Sequence, residues 1–330
     1  MEIKDYDAVV VGSVPNGLAA AITLQQKGLS VLLLEAKSKI GGGLRTEELT
    51  LPGFHYDVCS AIHPMAIGSP FLEHLPLQKF GLNYLHPQYS ASHPFLDGTE
   101  ALLMKSIDET AYLLGKDSEI YKHVISPIVK SWPNIVSDVL APLRFPKYPF
   151  DLAKFGLLAM QSATNLSKKF NTVQAKGFFA GMAAHSIQPL SNFATSAIGL
   201  VLLMAGHLNG WPVPKEGSSS ISKSLAAYFL HLGGKIETDF YVNSLQQLPS
   251  SKAVLFDITP RQLLKIAGHK FSSLYKWQLN RYRYGMGVFK VDWALDEAVP
   301  FPTTGAKQSG TRDVWLSRRS TSFEDLFPEL

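Results

Sequence analysis

The sequence predicts an α/β chain: a parallel sheet with helices against it, interleaved with an α+β part that is mainly helical. Three observations predict it. Asp7 to Val11 is a short apolar run of the kind that forms a fully buried parallel strand, and Gly12 ends it. Gly17 then opens Leu18–Lys27, rich in strong helix formers, with Gly28 as the stop. Ser30 to Leu34 returns as a second buried strand, closed by the acid Glu35.

The turn between the first strand and the helix suits a pyrophosphate. Gly12 permits a sharp turn and brings backbone N–H groups outward. Pro15 fits the first helical turn, where its missing N–H costs little. The helix then turns its free N–H groups and positive dipole end toward the phosphates. Glu35 lies 23 residues after Gly12, a spacing that places a carboxylate on a ribose diol and disfavours a 2′-phosphate, hence NADP. The middle glycine expected in the turn is Val14, whose branched side chain narrows the approach and resists a positive φ. Read blandly, Gly12 and Gly17 serve only turning and packing in an ordinary βαβ unit.

A second glycine turn follows: Gly41 and Gly42, then Arg45 and Thr46. With it, the N-terminal region resembles the FAD-dependent phytoene desaturase-like oxidoreductases, within the wider amine oxidase and glutathione reductase type flavoproteins. The segment from Glu35 to Thr46 resembles that group's second FAD motif, with Gly43 in place of its usual arginine. Residues 51–64, 210–227, 233–244 and 284–295 extend the likeness over nearly the whole chain. The resemblance implies FAD contacts at Gly12, Ser13, Val14, Pro15, Asn16, Gly17, Glu35, Ala36, Gly41, Gly42, Arg45 and Thr46. The backbone near Val242 would meet the adenine. It also implies hydride transfer between flavin and a hydrophobic substrate, with desaturation or saturation of a polyisoprenoid or similar alkene as the default reaction.

The expected organisation is a first FAD-binding segment over 1–70 and a mainly helical substrate or cap segment over 71–209. A second FAD-binding segment follows over 210–268, then substrate-domain strands over 269–330. The helical part is punctuated by Pro127, Pro133, Pro142, Pro146 and Pro149. The second FAD segment reads as a helix near Ile221–Leu232 and strands at Lys235–Asp239 and Ala253–Ile258. Alternation at Val288–Trp293 reads as a strand. Asp313–Leu316 reads as another, and Thr321 begins a capping-type helix start. Set beside the family, the chain reads as C-terminally truncated, with a partner chain supplying the missing wall of the flavin pocket.

At 330 residues and 46% apolar the chain is globular, long enough for a sizeable core. Its net charge of +4 comes from scattered basic residues, which argues against nucleic acid. The single Cys59 excludes an internal disulfide framework and suits a reducing compartment such as the cytoplasm. Residues 177–214 carry no Asp, Glu, Lys or Arg. They read as buried core helices or, more sharply, as an apolar substrate tunnel or membrane-docking face. No zinc or nucleophile motif is present. Flavin carries its own chemistry, and His63 is the candidate catalytic side chain, against the plainer reading of a structural histidine. His185 is a polar group within the charge-free stretch. Three rivals remain open: an FAD-dependent amine oxidase, a non-catalytic binding or scaffold homologue, and an NAD dehydrogenase, which the Gly41–Gly42 turn weakens.

Overall fold

The computed structural model describes residues 5–140, 144–297 and 305. In chain order the elements begin β1 (Tyr6–Val11), α1 (Pro15–Gln26), β2 (Val31–Leu34), β3 (Thr46–Glu48), β4 (His55–Asp57), α2 (Pro64–Ile67), α3 (Pro70–Glu73) and β5 (Tyr84–Leu85). Next come β6 (Ala91–Pro94), β7 (Glu100–Leu103), α4 (Ile107–Leu113), α5 (Ser118–Val139), α6 (Pro149–Ala159), α7 (Ala163–Ser167), α8 (Val173–Ala184) and α9 (Thr195–Asn209). The series closes with β8 (Val213–Pro214), α10 (Ser219–His231), β9 (Lys235–Glu237), β10 (Ser251–Phe256), α11 (Pro260–Ala267) and α12 (Ser273–Asn280).

The described residues fall into two units. One is drawn from Met1–Ala61, Ser69–Leu85 and Val213–Ala294, the other from Ile62–Gly68, His86–Pro212 and Leu295–Leu330. The first holds a four-stranded parallel sheet in the order β10-β1-β2-β9. Val9, Val10, Leu33 and Leu34 are almost completely buried, as a parallel strand covered on both faces requires. One face packs on α1 and α10 through Leu18, Ile22, Leu225 and Phe229. The other gathers Val9, Val11, Leu32, Leu34, Val242 and Ile266. The helix stop at Gly28 is as the sequence indicates, with φ +80°.

The second unit is mainly helical, with the β6–β7 hairpin beside α8 and α9. Its core is aromatic, with Tyr121, Phe178 and Phe179 fully enclosed. Gly177 and Gly181 sit on α8 where Phe95 and His93 press closest.

Two local expectations change. Pro127 and Pro133 do not break the chain but lie inside the 22-residue α5, both on its exposed side. Residues 282–295 have no regular element, so the alternation at Val288–Trp293 pairs with no strand among the described residues, and alternation alone forms no ladder. Its apolar side chains stand open, Phe289 at 93% and Trp293 at 70% exposure. The readings at Asp313–Leu316, Thr321 and Pro142 lie outside the described residues.

Candidate functional site: a dinucleotide seat

Strand β1 runs into Gly12 at φ +106°, a left-handed conformation that favours glycine. A Cβ there would also collide with the backbone of Asp257. The next residues are extended: Val14 flanks the N-terminus of α1 at φ −68°, ψ 168°. The positive φ expected to trouble a valine therefore falls on Gly12, and Val14 is unstrained. Its branched side chain is instead packed onto Gly42, where no Cβ would fit. The substitution fills space between the two glycine turns.

Glu35 is 9% exposed at the end of β2. Its Oε2 accepts from the Ser13 N–H at 3.1 Å and from the Ser13 hydroxyl. Its Oε1 accepts from the Lys37 N–H at 2.9 Å. Ser13 also reaches the second turn: the Gly41 N–H donates to Ser13 Oγ at 3.1 Å and lies 3.2 Å from the Ser13 carbonyl oxygen. Ser13, Glu35 and Gly41 thus form one buried joint, with Ala36 following Glu35 at the rim. Gly41 and Gly42 both take positive φ, +102° and +58°.

Arg45 folds back on its own loop. Its Nε donates to the Gly42 carbonyl at 2.7 Å, and Nη1 lies 3.4 Å from Glu47 Oε1. The Thr46 hydroxyl donates to Asp57 Oδ1 at 2.6 Å and accepts from the Ser219 N–H at 3.0 Å. Asp57 also receives the Ser218 N–H at 2.7 Å. Thr46 and Asp57 therefore clamp the second turn to the start of α10. Val242 is 6% exposed in the loop after β9, packed with the sheet. His63 falls in the other unit, immediately before α2.

One participant escapes the sequence reading. The Gly17 N–H, in the first turn of α1, donates to Asp257 Oδ2 at 2.6 Å. Asp257 follows β10 and donates its own N–H to the Val11 carbonyl at 2.8 Å. Burial and then the neighbouring Glu35 charge raise its carboxyl pKa, against the Gly17 hydrogen bond that lowers it. The available signal was an acid directly after the strand-like run that ends at Phe256.

The residues fit an adenine dinucleotide. Among the described residues the N–H groups of Val14 and Asn16 have no acceptor, and Pro15 between them has no N–H to satisfy. Two donors at a helix start beside a buried ribose-type carboxylate are what a dinucleotide requires.

A family model described as flavin containing amine oxidoreductase matches residues 16–293. The chain belongs to this family. Membership implies FAD and an oxidoreductase fold, both in accord with the parallel sheet and its turn. Among individual relatives, a limonene dehydrogenase subunit from Castellaniella defragrans is 28% identical over 61% of the chain and 35% of its own length. Pyridine nucleotide-disulfide oxidoreductase domain-containing protein 2 of Mus musculus is 35% identical over 37% of the chain and 20% of its own length. The chain thus aligns with well under half the length of either. A putrescine oxidase structure with putrescine bound shares the fold at TM-score 0.50 and 17% identity, covering 80% of this chain and 60% of that one. No described helix is long and apolar enough to cross a membrane.

Proposed function

We propose that this amine oxidoreductase is an FAD-dependent enzyme that oxidises a small, largely apolar amine. The observation that carries this reading is the family match over 16–293, anchored in a turn whose open N–H groups and buried Glu35 suit FAD. It favours the amine oxidase rival over the alkene desaturation expected first.

Glu35, fixed by Ser13 and Lys37, would accept the ribose hydroxyls. The Val14 and Asn16 N–H groups would bind pyrophosphate oxygens. Arg45 would support the Gly41–Gly42 turn from behind. Bound FAD supplies the two-electron acceptor. The second unit offers an apolar environment: α8 and α9 lie in the charge-free stretch, with Phe178, Phe179 and Leu203 buried. Burial, then the charge of nearby His185, lowers the His93 pKa to about 4, so its ring is neutral at pH 7, with Nδ1 buried and unpaired.

Hydrocarbon dehydrogenation is the second reading. It is favoured by the named likeness to a limonene dehydrogenase and by the same apolar unit. The test is anaerobic. The purified chain is loaded with FAD and mixed in turn with short aliphatic amines and with a cyclic monoterpene. Bleaching of the flavin band near about 450 nm by amines alone supports amine oxidation. Bleaching by the terpene alone supports the second reading. A chain that takes up FAD but is bleached by neither sinks both.

A further inference from the structure

The turn that would hold the pyrophosphate already holds an anion of the protein's own. The Asp257 carboxylate is half-buried and sits 2.6 Å from the Gly17 N–H, on the first turn of α1. A helix start attracts one anion strongly, and a second must share its field. A second acid, Glu35, stands close enough for its charge to act on Asp257. Arg45 is engaged by Gly42 and Glu47, and Lys39 lies 3.8 Å from the same Glu47. The first turn of α1 carries no charged side chain, and Arg261 on α11 is exposed and stacked on Tyr284. Backbone packing leaves Asp257 little room to withdraw. Its carbonyl closes on Gly12, its N–H is bound to Val11, and a Cβ on Gly17 would lie 2.8 Å from its Oδ2.

We propose that Asp257 is an affinity-setting residue of the dinucleotide seat, a fixed carboxylate that every pyrophosphate-bearing ligand must bind against. The proposal rests on the FAD reading above and deepens it. Asp257 weakens ligands by their phosphate charge and leaves the adenosine part untouched. It also holds the turn in shape, doing for Gly17 what a phosphate oxygen would otherwise do.

The test measures binding of FAD, ADP and adenosine to the wild-type chain and to Asp257→Asn by calorimetry, with flavin fluorescence as a second readout for FAD. Asparagine keeps an oxygen for the Gly17 N–H and removes the charge. Two unit charges about 5 Å apart in a partly wet site interact by enough for roughly fivefold to tenfold in affinity. Asp257→Asn is therefore expected to tighten FAD and ADP by about fivefold or more, with adenosine within about twofold. Asp257→Ser, which retains a small polar group, carries the same expectation should the asparagine variant fail to fold by circular dichroism. Wild-type binding of FAD with no gain in either variant overturns the role of Asp257 and leaves the FAD reading standing. An equal gain for adenosine also overturns it, because the effect would then not follow phosphate charge. Failure of all proteins to bind any of the three ligands overturns both.

Discussion

Gly17 shows how tightly individual residues hold the turn. A Cβ at this position would press on the Gly12 carbonyl and lie 2.8 Å from Asp257 Oδ2. Alanine normally favours a helix by about 1 kcal/mol; here Gly17→Ala should instead destabilise by about 2–4 kcal/mol in urea denaturation. A second residue-scale outcome concerns pH. His207 is 6% exposed, and burial, its largest cause, lowers the pKa to about 4. The unfolded chain binds its proton near pH 6.5, so between pH 6.5 and 4 the unfolded state holds more protons. Stability is therefore full above pH 6.5 and falls as pH drops toward 4, by up to roughly 3 kcal/mol from this group. Urea midpoints at pH 7.5, 6 and 5 should decline in that order, and His207→Gln should flatten part of the slope. At this scale the sequence is only partly legible. Gly12, Gly17 and Glu35 announce themselves by spacing along one βαβ unit. Asp257 does not, because its place beside Gly17 depends on β10 pairing with β1, a fact of sheet order that no local pattern carries.

Elements are joined here by a few half-buried polar groups. Asp57 accepts from Thr46 and from the Ser218 N–H, fastening the second glycine turn to α10. Asp57→Ala leaves the Ser218 N–H and the Thr46 hydroxyl without this acceptor, and should cost about 2 kcal/mol by thermal or chemical denaturation. Helix α5 gives the opposite sign. Pro133 is exposed in its interior, where the ring and the missing N–H oppose helix formation. Pro133→Ala should raise the melting temperature, by about 1–3 kcal/mol of stability. Prolines read as punctuation because propensity is local; the burial of Val124, Ile128, Trp132 and Ile135 along one face outweighs it. The strands at Lys235 and Ala253 and the helix near Ile221 are legible, since short β-type runs and a Ser-rich start are local signals. Val288–Trp293 misleads because alternation states a preference for a sheet, and a sheet needs a second strand.

At the scale of the whole molecule, residues 282–295 set Tyr284, Met286, Val288, Phe289, Val291 and Trp293 in the open. Contiguous apolar exposure of this kind drives association. The purified chain should bind a hydrophobic dye and sediment with concentration-dependent mass. Phe289→Ser together with Trp293→Ser should reduce both, and unchanged behaviour would exclude this segment as the cause. The sheet order carries a further consequence, for the order of synthesis. β1 and β2 leave the ribosome within the first 34 residues, while β9 and β10 follow only at 235–256. Until then one edge of β1 has no neighbour, and the residues of the helical unit must emerge in between. Nascent chains arrested before residue 251 expose that bare edge, the kind of template on which other strands assemble. The interval between the second strand and the last is thus a period when the growing polypeptide depends on a chaperone or on the early collapse of the inserted helices.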